Sequence, residues 1–437
     1  MKRNFFITLV FILIIITGLL YVMSNFTGEK EQSRGQNESV EDIQIHFWRN
    51  YGNDLENQAF TELINHFERL NPGIKVKMRS IPYSDYEILI RTEFAAGNPP
   101  DVLMIDSPNL ALYAQTGVLN SLTSFIDESS LQDFPDSTVE GLMYENEPYL
   151  MPITESGLAL FYNIPLFKEA GLSLPKKDPH EPLTWEEVRE MAIEISRIGD
   201  EVDGLDPAQG FASGEAAAYF KMPILWQFGA EILSPDGTTS NGYLNSAEAI
   251  EALTFYQNLY HEDEVASVEM TAGSFEKNLL GLTVLGSWAV ADFQNHYELE
   301  LDVDFGIAPL PKAKMQAVPN GGWALAMTSE SNHSEEAWAF IEFLSSYAGM
   351  KKYVEITGDI PARISVAEDI PELNQYPLNI FVEQAHHYSK SRPVTPVYPV
   401  VSDEIRTLFE EVGIGGKDVK ASVQKAVETI DAALEPN

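Results

Sequence analysis

Apolar positions along this chain switch repeatedly between the spacing of a strand and that of a helix. Residues 43–48 form an apolar run that reads as a strand. Leu55, Ala59, Phe60, Leu63, Ile64, Phe67 and Leu70 then recur on one helical face that stops before Asn71-Pro72-Gly73. A strand is predicted over 74–81, a helix over 84–96, and a short buried strand over 102–105 after Asn98-Pro99-Pro100-Asp101. Strand, helix, strand, helix, strand at this spacing predicts a parallel sheet covered on both faces, and so the α/β class. Ligands in such sheets bind beyond the carboxyl ends of the strands, here residues 49–54 and 106–109.

The second half is richer in helix. Thr184-Trp185-Glu186-Glu187 has the form of a capping box, opening a helix to about Arg197. Helical periods also cover 215–228, 246–260, 334–347 and 419–434, while 282–286, 303–308 and 323–327 read as strands. No internal repeat is visible. About 395 residues follow position 42, enough for two domains of ordinary size.

A different pattern precedes them. Lys2 and Arg3 lead into residues 5–23, which are apolar apart from Thr8, Thr17, Gly18 and Tyr21. As a helix this stretch would cover roughly 28 Å, close to the hydrocarbon thickness of a bilayer. No good small-x-small cleavage site follows, so an uncleaved anchor is favoured over a removed signal, with the basic end inside and the rest of the chain outside. Residues 24–42 are polar and charged, as a flexible linker would be.

The chain has 66 acidic and 28 basic residues, a formal charge of −38, and no cysteine. The charge argues against nucleic acid, polyanions and anionic lipid as partners. The missing cysteine excludes disulfides, thiolate sites and a lipidated N-terminal cysteine. Signals for catalysis are weak. His386-His387 lacks the helical spacing of a zinc site, and Gly413-Ile414-Gly415-Gly416-Lys417 lacks the spacing and hydroxyl of a phosphate loop. The acidic loop 200–206 does not have EF-hand spacing. The chain is therefore read as no enzyme, with neither cofactor nor metal.

Two motifs suggest a binding chemistry. Gly286-Ser287-Trp288-Ala289 and Asn320-Gly321-Gly322-Trp323 each set a tryptophan where an apolar run meets small residues, leaving a flat aromatic face with little bulk beside it. Such faces stack on the C–H side of a sugar ring while a few polar groups hold its hydroxyls. A core tryptophan beside a turn glycine is the structural alternative.

Further blocks extend the pattern: Ile45-His46-Phe47-Trp48, Asn71-Pro72-Gly73-Ile74, Asn98-Pro99-Pro100-Asp101-Val102, Gln115-Thr116-Gly117-Val118-Leu119, Leu160-Phe161-Tyr162-Asn163, Leu225-Trp226-Gln227, Ala308-Pro309-Leu310-Pro311 and Ile360-Pro361-Ala362-Arg363. Together with both tryptophan motifs, and in this order, the chain from about residue 43 resembles the family 1 extracellular solute-binding proteins of ATP-driven sugar importers. It departs from many Gram-positive members in lacking the lipid-modified cysteine.

The resemblance implies a two-lobe fold with a hinge and an interlobe cleft. The N-terminal lobe would comprise 43–153 and 326–361, and the C-terminal lobe 154–325 and 362–437, with crossings near 154–157, 322–325 and 362–365. Ligand contacts would come from Asn50, Tyr51, Asp106 and Asn109 in the first lobe and Glu155 at the crossing, where an Asp is common. Tyr219, Trp226 and Trp288 would serve in the second, Gly321, Gly322 and Trp323 on the hinge side, Arg363 as a donor fork, and Tyr398 at the far end. Several of these have structural uses too. Asp106 could cap a helix, Arg363 could pair with a surface acid, and Tyr219 and Trp226 stand seven apart on one helix, where one could be core. The implied function is an extracellular, monomeric receptor that captures a neutral oligosaccharide and passes it to the transmembrane subunits of an ABC importer. Sensing for a membrane kinase, and the same fold holding a polyol or glycerol phosphodiester, are the alternatives.

Overall fold

The computed structural model describes residues 42–207, 215–267 and 273–435. The apolar stretch 5–23 and the polar stretch up to residue 41 lie outside the described residues. Among those described, no helix is long and apolar enough to cross a membrane.

The first sheet grows from Ile43–Tyr51, which pairs in parallel with Ile74–Pro82 on one side and Val102–Asp106 on the other. Between the strands run the expected helices. Asp54–Leu70 is capped by the Asn53 side chain, and Tyr83–Ala96 ends at Gly97 in the left-handed conformation. The parallel order then stops. Trp323–Met327 lies antiparallel beside Val102–Asp106, and Leu150–Pro152 antiparallel beside that, so the sheet is mixed where local spacing had predicted a parallel one. The cause is topological: the chain leaves this sheet after Pro152, builds a second body, and re-enters from the other end. Alternation along each strand covers both faces. Ile45, Phe47, Val102, Met104, Leu325 and Met327 join one apolar cluster, and Trp48, Leu103, Ile105, Ala324 and Ala326 join another.

The second sheet has the order Phe305–Pro309, Leu158–Asn163, Leu280–Gly286, Asp203–Asp206. Its inner strand Leu158–Asn163 is buried at every position, and the third and fourth strands pair in parallel. The capping box forms as read, Thr184 and Glu187 satisfying each other's backbone N–H at the start of Trp185–Ser196. Helices Glu215–Phe228, Ala247–His261, Tyr398–Phe409 and Val419–Leu434 enclose the second core. Residues 334–347 form no single helix. Ser346 takes an extended conformation between Ser334–Ser345 and Tyr347–Thr357, its hydroxyl accepting from the Gly349 N–H to start the next helix.

The two sheets are joined by short segments. Thr154–Glu155 pairs antiparallel with Ile360–Pro361, and Ser156 bridges to Gly321. Trp323–Met327 belongs whole to the first sheet, so the range 322–325 expected for the return crossing overlaps that strand. Gly322 has φ +148°, and a Cβ there would stand 1.9 Å from the Thr154 carbonyl oxygen. Only glycine fits a crossing this close. Helix Ile364–Asp369 buries Val366 and Ala367 in the cluster that holds both Phe47 and Phe161, so apolar packing runs continuously from one sheet to the other beneath the crossings.

Candidate functional site

A cleft of about 880 Å³ opens where the strand ends of the two sheets face each other. Its first wall is the turn that follows Ile43–Tyr51, from Asn50 to Glu56, together with Tyr83, Asp106 and Trp323. Its second wall is two helix faces. Trp288, Ala291, Asp292 and Asn295 recur at intervals of three and four on Trp288–Asn295, and Glu215, Ala216, Tyr219 and Phe220 come from the start of Glu215–Phe228. Thr154, Glu155, Ser156, Gly321, Gly322, Asp359 and Arg392 complete it along the crossings.

The two predicted tryptophans face this space. Each is only partly buried, and each has aromatic support: Trp323 lies edge-on to Tyr83 and Tyr86 at 6.1 and 5.6 Å, and Trp288 lies 6.4 Å from Tyr219 and 6.3 Å from Phe220. Small neighbours are required. A Cβ on Gly286 would lie 2.1 Å from the Trp288 ring, and one on Gly321 would lie 2.6 Å from Tyr219. Both indoles also pack against the apolar clusters on their inner sides, so each borders the core as well as the cleft.

The charged groups form two clusters. Arg392, 3 % exposed, donates to both Asp106 oxygens at 2.6 and 3.2 Å and to Glu215 Oε1 at 2.6 Å. Glu215 also accepts from the Tyr398 and Ser402 hydroxyls. Burial works against the Arg392 charge, but Asp106, Tyr398 and Glu215 outweigh it and hold the guanidinium well above its usual value. Burial also raises the Glu215 carboxyl, against the pull of Arg392. In the second cluster Arg49 donates to Glu56 Oε2 at 3.2 Å and to the Asn50 carbonyl at 2.8 Å beneath the first wall. Burial and the neighbouring Asp359 push Glu56 up to about 7. Glu155 stands apart. Its carboxyl accepts from the Thr138 hydroxyl and from the Gly321 N–H at 3.4 Å, and burial raises it to about 7.

Of the residues read from the sequence, Asn50, Tyr51, Asp106, Glu155, Tyr219, Trp288, Gly321, Gly322 and Trp323 come together on the cleft. Asp106 makes no helix cap; its carboxylate is taken by Arg392. Four others are corrected. Asn109 is buried and turned toward Glu87, its amide 3.4 Å from Oε1, because the short turn after Asp106 points it under helix Tyr83–Ala96. Trp226 is core, 1 % exposed, because Glu215–Phe228 is buried all round beyond its first two residues. Arg363 is a brace: it donates to the Ser345 carbonyl at 2.7 Å and Asp133 at 3.0 Å and stacks on Phe134 at 4.6 Å. Tyr398 is fully buried behind the wall, where its hydroxyl holds Glu215. Arg392 and Glu215 were missed. The signal available was an arginine held between Ser391 and Pro393 in a chain poor in basic residues.

Two lobes with an aromatic cleft between them, built on strand ends, is the architecture the sequence blocks implied. The family profile described as bacterial extracellular solute-binding protein matches residues 52–351. The chain belongs to that family. Its members bind solutes outside the cell and are not enzymes. Among curated relatives, the maltotriose-binding protein of Pyrococcus abyssi is 23% identical over 86% of this chain and 79% of its own length. The galactooligosaccharide-binding protein of Bacillus subtilis is 22% identical over 83% of each. Among solved structures, an ABC substrate-binding protein from Listeria monocytogenes in complex with cycloalternan superposes with TM-score 0.76 at 22% identity, covering 90% of this chain and 99% of that one.

Proposed function

We propose that this receptor captures a carbohydrate between its lobes and delivers it to an ABC importer, held at the outer face of the membrane by residues 5–23 and acting as a monomer. One observation carries the reading: an indole face on each wall, Trp323 from the first sheet and Trp288 from the helix that follows the second sheet's strand Leu280–Gly286, over a rim of carboxylates and amides suited to hydroxyls. The names of relatives that bind maltotriose and galactooligosaccharide support it. An anionic cargo fits poorly. Arg392 is the one lysine or arginine among the described lining residues, and its outer nitrogens are bonded to Asp106 and Glu215. We take the lobes to divide at 154–156 and 321–322, with 360–365 as the third crossing.

A thermal-shift screen of the full chain in detergent, against mono- and oligosaccharides, polyols and glycerol phosphodiesters, tests the reading. A bound sugar at a hundredfold excess over Kd adds about 2.7 kcal/mol to stability. Stabilisation by a phosphodiester and by no sugar would replace the reading with the alternative cargo.

A further inference from the structure

Building on the carbohydrate reading, we propose that the cleft selects a saccharide bearing a protonated amine over the same saccharide bearing a hydroxyl there. The balance of charge along the walls carries the argument. Seven carboxylates line the cleft, Asp54, Glu56, Asp106, Glu155, Glu215, Asp292 and Asp359, against one arginine, Arg392, and one histidine, His296. Arg392 compensates Asp106 and Glu215, and Arg49 below the wall compensates Glu56. For Glu155, Asp292, Asp54 and Asp359 no Lys, Arg or His forms an ion pair among the described residues. Glu155 has a hydroxyl and a backbone N–H with Arg392 acting on it from farther off, Asp54 the Tyr51 hydroxyl at 2.5 Å, and Asp359 the Tyr353 and Thr357 hydroxyls.

A second observation points the same way. Asn50, on the wall and 4 % exposed, carries a buried side-chain oxygen that no donor among the described residues reaches. A buried acceptor left unpaired is unfavourable and a ligand donor would satisfy it, as a ligand acceptor would satisfy the unpaired Nε of Arg392. An ammonium has three donors and no acceptor, which suits a lining dominated by acceptors better than a hydroxyl does. Indole faces also attract cations through the ring quadrupole.

Closure adds an electrostatic reason. Asp54 belongs to the first wall and Asp292 to the second, so narrowing the cleft brings like charges together as water leaves and screening falls. A neutral sugar leaves that repulsion in place. A cationic one converts it into attraction from both sides, and thus binds the closed form better than the open one, the condition for a ligand to drive the change.

The test is calorimetry on the full chain in detergent at neutral pH and low salt. It sets D-glucosamine, D-galactosamine, D-mannosamine and the chitosan disaccharide against glucose, galactose, mannose and cellobiose. At least one amine should bind about tenfold or more tighter than its hydroxyl counterpart, about 1.4 kcal/mol. The margin should shrink as sodium chloride is added and should fall in Asp292→Asn. Equal or tighter binding of the hydroxyl series overturns the charge selection and leaves the carbohydrate reading standing. Failure of both series to bind, with folding verified by circular dichroism, overturns the carbohydrate reading and this proposal with it.

Discussion

Replacing Glu155 by glutamine should change how the stability of this protein depends on pH, and by a predictable amount. The carboxyl is 6 % exposed and is held by Thr138 and the Gly321 N–H, with burial raising it from an ordinary 4.5 to about 7. A carboxyl raised on folding binds its proton more tightly in the native state than in the unfolded chain, so stability falls as pH rises between those two values. Below pH 4.5 both states are protonated and nothing is lost. Above about 7 the native state carries a buried charge, and the loss is complete at about 3 kcal/mol. Glutamine keeps the shape and cannot ionise. Urea titrations of wild type and Glu155→Gln from pH 4 to 8 should therefore give a stability difference that grows in favour of the variant through that window and is flat outside it. Glu56 is raised to a similar value, but it is present in both proteins and cancels in the difference. Parallel curves, or a difference that grows as pH falls, would show that the carboxylate is stabilised in place and would refute the account of its burial.

Gly322→Ala should destabilise the protein by about 3 kcal/mol, since its positive φ and the Thr154 carbonyl both oppose a side chain; a urea midpoint unchanged to within error would contradict this. Trp288→Ala and Trp323→Ala should each weaken sugar binding by about 2 kcal/mol, measured by calorimetry on variants with native circular dichroism, and retained affinity in both would remove the stacking role. Arg363→Ala should lower stability by about 2 kcal/mol through its pair with Asp133 while leaving sugar affinity as it was. A large loss of affinity there would return Arg363 to the cleft.

Where local periodicity is strong, the residues announce the fold. Leu55, Ala59, Phe60, Leu63, Ile64 and Phe67 do lie on one face of Asp54–Leu70, and the strand-end rule for α/β sheets placed Asn50, Tyr51 and Asp106 on the cleft from position alone. Trp288 was marked by Gly286, where a side chain would strike its ring, and Trp323 by the glycines of the crossing before it, where a side chain would strike Tyr219 or the Thr154 carbonyl. The arginines were not. Arg363 and Arg392 both sit near prolines, and the scarcity of basic residues marks both without separating the brace from the cleft residue. What differs is the acid each meets, Asp133 or Asp106, over separations of 230 and 286 residues. Contacts at such range leave no period to read. The mixed first sheet escaped for the same reason, since the direction in which Trp323–Met327 re-enters is decided by the body built before it.

That re-entrant strand also sets a timetable for the growing chain. Among the described residues Trp323–Met327 is the one strand that links Val102–Asp106 to Leu150–Pro152 in the first sheet, so until residue 327 has been made the sheet stands split, with the edges that it will join unpaired. All four strands of the second sheet, from Leu158–Asn163 to Phe305–Pro309, have by then been synthesised. The half of the molecule that is read first is thus completed after the strands of the other half are in hand. Open, apolar strand edges are templates for pairing with other chains, so a nascent chain interrupted between residues 152 and 327 is the species in which misassembly should concentrate.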